Sequence, residues 1–418
     1  MNNAAGDRYS LETNHKRLLW LTLLMFISGL SIPQLSPVCF LVFCFHIIRR
    51  SQDRILDTDS GILFAFLLSM LLIGGLNGEY TLDFRSFVLI VFLPVFGYLA
   101  GWKFFSANKG LTSHHALFLL FSYTVGLVTY CGLSLSLGFK EFNLAEIVIK
   151  RIIHNYWTDD PNAENYKMGV AMVGMFTNLS VGLLPLVIFR RNLDIQQRFW
   201  FPILAALGGL ALVSLFIDVV LSNRTPFFLF MVNFLLAVVF LSKNGEFHRT
   251  FRTSLKFLAF VVVLTALIWT KVDLSDFFAG FLYRFEQGVQ TSRYDYWIHA
   301  LSVMFYYPFG GIQIENLFEV RSFHNLWFDV LRVSGWFPMI LCIAFFVRQR
   351  GCLIRVLRDK RVPKIVRMYL LCTGMAILFA YIAEPVIQGP VVYFAVTFFF
   401  MGFVRSIAIA PMFVQANY

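Results

Sequence analysis

The sequence is poor in charged residues. Asp, Glu, Lys and Arg make up only 14% of its 418 residues, whereas hydrophobic residues make up 58%. Soluble domains contain about 25% charged and about 45–50% apolar residues. This composition excludes an ordinary soluble enzyme, a disordered chain and a typical nucleic-acid-binding protein, although the formal net charge is +11.

Cysteine is also scarce. The six cysteines fall in apolar runs or basic segments, and neither they nor the eight histidines show metal-ligand spacing. Asp57-Thr-Asp59 matches the metal-binding Asp-x-Asp pattern of nucleotide-sugar glycosyltransferases. It lies in a short loop without a nucleotide-binding domain, so we interpret it as a chance match. The sequence therefore predicts neither a disulfide framework nor a metal site.

Apolar runs of nearly membrane-spanning length recur along the whole chain. A bilayer core about 30 Å thick needs about 20 apolar residues per helix. We interpret the first two runs, which a turn with two prolines separates, as two spans. The sequence thus predicts an all-α integral membrane protein, with 1–418 as a single polytopic domain. We predict about twelve transmembrane helices, at 18–30, 37–48, 61–76, 86–101, 114–137, 168–189, 199–221, 226–241, 257–270, 326–347, 368–382 and 390–404.

Basic residues alternate between successive loops, and this alternation indicates the orientation of the chain. Cytoplasmic loops carry an excess of Lys and Arg. With the N-terminus inside, 24 of the 35 Lys and Arg residues fall in inner segments. Both termini are predicted to be cytoplasmic, and no cleavable signal peptide is expected. The positive charge is therefore a topology signal and does not indicate a polyanionic partner.

Polar residues gather in two long outward loops. The first is 138–167, and the second is 271–323, between the ninth and tenth predicted spans. Residues 292–307 are rich in Tyr, Trp and Ile, so they could form an amphipathic helix at the membrane interface. The second loop carries Arg284, Arg293 and Arg321, and it ends at His324 where the tenth predicted span begins.

These cations, together with Arg224 between the seventh and eighth spans, are candidates for binding a lipid-linked pyrophosphate. Guanidinium groups bind phosphate bidentately and stay charged when partly dehydrated. A histidine that titrates near neutrality could take a proton from a hydroxyl nucleophile. The alternatives stay open, because Arg224 could reach the headgroups or pair with Asp218. Arg284 and Arg321 could likewise pair with nearby glutamates on a solvated surface.

Four short motifs stand in order between residues 221 and 338. They are Leu221-Ser-Asn-Arg-Thr225, Arg293-Tyr-Asp-Tyr-Trp297, Tyr307-Pro-Phe-Gly-Gly-Ile312 and Phe323-His-Asn-Leu326. In this order and spacing they resemble the O-antigen ligase and polymerase superfamily of bacterial envelope glycosyltransferases. Ligases show His-Asn, nine residues, Gly, two residues and then Gly, Thr or Tyr. Here His324-Asn325 is followed after nine residues by Gly335, whereas Pro338 at the last position departs from the ligase pattern.

The resemblance implies a multi-span, GT-C-like glycosyltransferase that is inverting, metal-independent and free of cofactors. The donor would be a glycan on undecaprenyl pyrophosphate at the periplasmic face of the bacterial inner membrane. A ligase passes that glycan to lipid A–core, and a polymerase passes it to another lipid-linked repeat unit. By motif position, Arg224 and Arg293 would bind the pyrophosphate, and His324 would act on the acceptor hydroxyl. Asn325 is a further candidate for substrate binding. Arg284 and Arg321 match no motif of the family and stay candidates because of their position in the second loop alone.

A transporter and a flippase fit the same layout. Many secondary carriers have twelve spans with both ends inside, and Asp218 within a span could be a coupling site. Carriers tend to show repeat symmetry, which this sequence does not show, and its polar residues lie mostly in one outer loop. A lipid flippase without covalent chemistry is harder to exclude by composition.

Overall fold

The computed structural model describes residues 3–51, 57–107, 113–141, 147, 152–158, 167–193, 197–271, 292–312, 322–384, 386 and 391–409. Within these ranges the strands are β1 (Ile152–His154) and β2 (Lys167–Gly169), which pair antiparallel. The helices are α1 (Asn3–Gly29), α2 (Leu35–Ile48), α3 (Thr58–Leu76), α4 (Phe84–Trp102), α5 (Phe104–Ala107), α6 (Ser113–Glu141), α7 (Val170–Ile188), α8 (Gln197–Val220), α9 (Thr225–Leu241), α10 (Phe247–Lys271), α11 (Ser292–Val303), α12 (Leu326–Ser334), α13 (Trp336–Arg358), α14 (Lys364–Ala383) and α15 (Val391–Ile409).

Among the described residues, eight helical stretches are long and apolar enough to cross a bilayer. One of them, Thr225–Phe260, contains a break, because Asn244 and Gly245 have non-helical dihedral angles and separate α9 from α10. Helix α2 is apolar but has only 14 residues. The protein is an all-α membrane protein, as the sequence predicts, and the number of twelve spans stays a prediction.

The predicted tenth span, 326–347, is not one continuous helix. Helix α12 ends at Ser334, and Gly335 then adopts φ 78° and ψ −162° before α13 begins at Trp336. A side chain is strongly disfavoured at such a positive φ, so glycine is the residue that permits the break. The short helix α12 and the longer α13 are therefore separate elements.

The chain divides into two compact units. The first consists of Met1–Leu127, Ser292–Val366 and Pro385–Tyr418, and the second of Val128–Thr291 and Arg367–Glu384. The predicted single polytopic domain and the limits of its two long loops stay predictions.

Small residues allow helices of the first unit to pack closely. A Cβ atom on Gly97 of α4 would lie 2.6 Å from the carbonyl oxygen of Ala395 in α15. A Cβ atom on Gly101 of α4 or on Gly402 of α15 would likewise meet the backbone of the facing helix. Gly29 of α1 likewise lies against the backbone of α6. Close backbone approach at small residues is a common means of association between membrane helices.

Helix α3 connects two polar clusters of the first unit. Asp59, in its first turn, forms an ion pair with Arg348, and Gly74, near its other terminus, packs against Tyr80 and Val333. At about 1.5 Å per residue these positions are about 22 Å apart. We call the two ends of α3 the Asp59 end and the His324 end. The second name is used because Val333, which packs there, belongs to α12, the helix that follows His324.

The second unit buries several polar side chains among its apolar helices. The Asn233 Nδ2 atom donates to the carbonyl oxygens of Gly182 at 2.9 Å and Cys372 at 3.1 Å. Tyr130 donates its hydroxyl to Asn155 Oδ1 at 2.9 Å, just after β1, and its ring stacks on Trp157. Part of the first long predicted loop, 138–167, therefore packs in an ordered way on α6.

Candidate functional site

The predicted site residues are distributed over both units. His324 and Asn325 belong to the first unit, and Arg224 belongs to the second. Arg293 lies in the first turn of α11, where the structure describes its backbone but not its side chain. Arg284 and Arg321 lie outside the described residues, so their predicted roles stay predictions.

His324 lies at a sharp turn immediately before α12. Its φ is 52°, in the left-handed region that residues other than glycine rarely adopt. Asn325 caps the helix, since its Oδ1 accepts hydrogen bonds from the backbone nitrogens of Trp327 at 3.0 Å and Phe328 at 3.4 Å. The histidine is half-buried, and the turn that presents it is fixed by the helix cap.

The carboxylate of Asp329 secures the same turn from inside the first turn of α12. Its Oδ1 accepts from the backbone nitrogen of Phe323 at 2.7 Å, and its Oδ2 accepts from that of Asn325 at 3.4 Å. The residues on both sides of His324 are thus bonded to one buried carboxylate. Strained backbone conformations persist only where the surroundings fix them, and they cluster at functional sites.

The motif that begins at Arg293 packs beneath the histidine turn. Trp297, one helical turn after Arg293, donates its indole Nε1–H to the carbonyl oxygen of Phe323 at 2.9 Å. A small core joins these segments, and it consists of Tyr296, Ala300, Ile312 and Phe323 with Trp297, Val303 and Phe328 against it. The second and fourth motifs are therefore in direct contact.

The Pro308–Gly311 loop of the third motif is held against the C-terminus of α12. The backbone nitrogen of Gly311 donates to the Arg332 carbonyl oxygen at 2.7 Å, and that of Trp336 donates to the Pro308 carbonyl oxygen at 3.0 Å. Gly310 and Gly335 both have positive φ, and neither has room for a Cβ atom, which would meet the backbone of Ser334 and Val333 at Gly310 and that of Pro308 and Gly310 at Gly335. These contacts explain why glycine is needed at Gly335, the position that the ligase pattern specifies.

We expect Gly335→Ala to destabilise the protein by at least about 2 kcal/mol, because the new methyl group would add steric conflict to a strained dihedral angle. Melting curves of the purified protein in detergent measure the loss. Gly61→Ala in α3 is the matched control, because a Cβ atom there would have no neighbour within 4 Å. Equal melting temperatures for Gly335→Ala and the wild type would contradict this description of the turn.

An ion pair that the sequence did not reveal supports the Pro308–Gly311 loop. Arg332 donates to both carboxylate oxygens of Glu79, with 2.9 Å between Nη2 and Oε2, and its side chain is only 4% exposed. Asn77 adds hydrogen bonds from Nδ2 to the carbonyl oxygens of Phe309 at 2.8 Å and Val333 at 2.9 Å. The sequence does contain one sign of this buried ion pair, because two ionisable residues, Asp329 and Arg332, lie within an apolar run.

Tyr80 lies in the same connection between α3 and α4 as Asn77 and Glu79, and it also packs at the His324 end of α3. Its hydroxyl is buried, and burial raises the pKa of the phenol, with Arg332 opposing that shift. Tyr80 therefore stays protonated near neutrality. It packs against Gly74 of α3, so the connection forms a fixed wall of the His324 end.

Arg224 lies in the tight turn between α8 and α9 of the second unit. Ser222 in this turn has φ 52°. The buried Asp218 Oδ1 accepts from Asn223 Nδ2 and from Thr177 Oγ1, both at 3.0 Å. Asn223 in turn accepts at Oδ1 from the backbone nitrogen of Thr225 at 3.3 Å. Asp218, which the sequence alone left as a possible coupling residue, thus orders the turn that carries Arg224.

The described residues contain no group of three His, Cys, Asp or Glu side chains that could hold a metal ion. Asp57 and Asp59, which match the Asp-x-Asp pattern, are both paired with Arg405. No protein-family model matches the sequence, and no curated protein matches it either.

Proposed function

We propose that this protein is an O-antigen ligase-like glycosyltransferase of the bacterial inner membrane. It transfers a glycan from undecaprenyl pyrophosphate to lipid A–core at the periplasmic face. The observation that carries the proposal is the contact of two other motifs with the residue beside a strained histidine: Trp297 donates to the Phe323 carbonyl oxygen, and Ile312 packs in one core with Phe323. We further propose twelve spans, cytoplasmic termini and a large periplasmic loop between spans nine and ten.

In the proposed reaction the acceptor hydroxyl oxygen attacks the anomeric carbon of the donor sugar. The bond from that carbon to the pyrophosphate oxygen breaks, the electron pair leaves with the pyrophosphate, and the configuration inverts. His324 accepts the hydroxyl proton as the general base. Arg224 and Arg293 stabilise the negative charge that grows on the leaving group, so neither a metal nor a general acid is required.

The surface of α11 supports a lipid-linked substrate. Tyr294, Ile298 and Leu301 are exposed on this helix, and Phe305 is exposed just beyond it. Their apolar side chains lie beside the buried residues that hold the histidine turn. Such a face suits contact with the interfacial region of a bilayer, where a polyprenyl chain would enter.

A polymerase is the second candidate, because Pro338 occupies a position where ligases have Gly, Thr or Tyr. A polymerase uses the same donor, and its acceptor is another lipid-linked repeat unit. A transporter or flippase is the further alternative. The hydrogen bonds of Asp218 to Thr177 and Asn223 favour a structural role for this residue over that of a coupling site.

A gel of extracted lipopolysaccharide from a strain lacking the gene distinguishes the candidates. Loss of a ligase leaves bare core and accumulates lipid-linked polymer. Loss of a polymerase leaves core that bears a single repeat unit. Unchanged lipopolysaccharide and unchanged lipid-linked glycan in that strain would contradict both assignments.

A further inference from the structure

The Asp59 end of the first unit contains a cavity that the proposed transferase does not use. Its volume is about 310 Å³, and its polar lining comes from Asp59 of α3, Arg348 and Arg355 of α13, and Arg405 of α15. It lies at the opposite end of α3 from Gly74, which packs against Tyr80 and Val333. It is therefore a second polar site within the same unit.

The position of Arg405 is fixed by several partners. Its guanidinium is paired with both Asp57 and Asp59, and it donates to the Tyr98 hydroxyl at 2.8 Å. It also lies over the ring of Trp102, with 5.0 Å to the ring centroid. Multiple hydrogen bonds of this kind hold a guanidinium in one orientation. One wall of the cavity is therefore a pre-positioned cation.

The lining carries more positive than negative charge. Three arginines face one carboxylate, and Asp59 is already engaged by Arg348 and Arg405. Arg355 is exposed, and no residue in the described part of the chain forms an ion pair with it. Arg348 and Arg355 are seven residues apart, which places them on the same face of α13 two turns apart. Arg355 thus offers the cavity guanidinium donors that form no ion pair with the described residues.

Apolar side chains form the rest of the lining. Val347 and Ile409 contribute to the cavity, and each is 60% exposed. In a membrane protein, exposed aliphatic side chains beside arginines match a molecule with a charged headgroup and acyl chains. Basic pockets between membrane helices bind anionic lipid headgroups by this combination.

We propose that this cavity binds the phosphate of an anionic phospholipid headgroup, with Arg355 and Arg348 as the ligand-binding donors. Arg405 forms the fixed wall that orients the headgroup. The acyl chains extend past Val347 and Ile409 into the bilayer. The prediction that the basic segments face the cytoplasm places this lipid in the inner leaflet. The proposal does not rest on the glycosyltransferase assignment.

Native mass spectrometry of the purified full chain tests the proposal with phosphatidylglycerol and phosphatidylcholine of identical acyl chains. We expect the wild type to retain phosphatidylglycerol preferentially. Arg355→Gln, which breaks no ion pair among the described residues, should weaken that binding about fivefold, as expected for one arginine near an anionic lipid. Arg350→Gln is the matched control, because Arg350 is exposed on the same helix and does not line the cavity.

Three results would overturn the proposal. The first is unchanged phosphatidylglycerol binding in Arg355→Gln. The second is an equal loss in Arg350→Gln, which would indicate a general charge effect. The third is displacement of the bound lipid by excess inorganic phosphate, which would identify the ligand as a small soluble anion. Glycan transfer is measured separately, so failure of the transferase assignment would leave this result intact.

Discussion

His324→Asn is expected to reduce glycan transfer by about 10²–10⁴-fold, the usual contribution of a general base. Asparagine tolerates the left-handed backbone conformation that His324 adopts at φ 52°, so the turn should keep its shape. The substitution therefore removes the proton acceptor without forcing a new backbone. The transfer rate in isolated membranes is the measurement, with protein level determined by immunoblot.

His299→Asn provides the control for this variant. His299 lies in α11 of the same unit and outside the four motifs, so its replacement should leave transfer near the wild-type rate. His324→Gly should melt no lower than the wild type, because glycine adopts positive φ without a steric penalty. Wild-type transfer in His324→Asn, at a normal protein level, would exclude the histidine as the base.

Arg224→Ala is expected to lower transfer by about 10²–10³-fold, the cost of removing one donor that stabilises developing charge. Arg224→Lys should recover only part of this loss, because an ammonium group keeps the charge but lacks the bidentate geometry of guanidinium. The hydrogen bonds of Asn223 to Asp218 order the turn that carries Arg224, and a cation presented from an ordered backbone needs less reorganisation to stabilise charge. For both variants, the rate of glycan transfer is measured in isolated membranes as a function of substrate concentration.

Arg85→Ala is the matched control for the arginine variants. Arg85 is exposed at the start of α4, on the side of the membrane where we predict the active site to lie. Its loss removes the same charge without touching a motif, so transfer should be unchanged. An equal fall in Arg85→Ala and Arg224→Ala would reduce the role of Arg224 to a general contribution to surface charge.

Hydropathy predicts most of the helices because a membrane requires long apolar runs with satisfied backbone hydrogen bonds. It does not predict the end of α12 at Ser334. The run 326–347 contains Gly335, and a single glycine is compatible with either a continuous helix or a break. The choice depends on the Pro308–Gly311 loop, whose carbonyl and amide groups bond to Arg332 and Trp336. Such contacts are between distant parts of the chain and leave no local periodicity.

The motifs allow His324, Asn325 and Arg293 to be named from the sequence, but they do not reveal what supports them. The pair between Glu79 and Arg332 joins residues far apart in sequence, and so do the hydrogen bonds of Asn77. Charge spacing cannot predict such partners. The helix cap by Asn325 can be inferred from the sequence, because an asparagine before an apolar run, with Asp329 in the first turn, is a signal for the start of a helix.

Reconstitution with purified components tests most directly whether the protein forms a glycosidic bond. Purified protein in vesicles receives an undecaprenyl-pyrophosphate-linked glycan and lipid A–core in the presence of a metal chelator. We expect glycan to become bonded to lipid A–core and undecaprenyl pyrophosphate to be released in equal amount, and we expect His324→Asn to form neither product. Movement of the lipid-linked glycan across the vesicle membrane, with no new bond to any acceptor, would contradict this expectation.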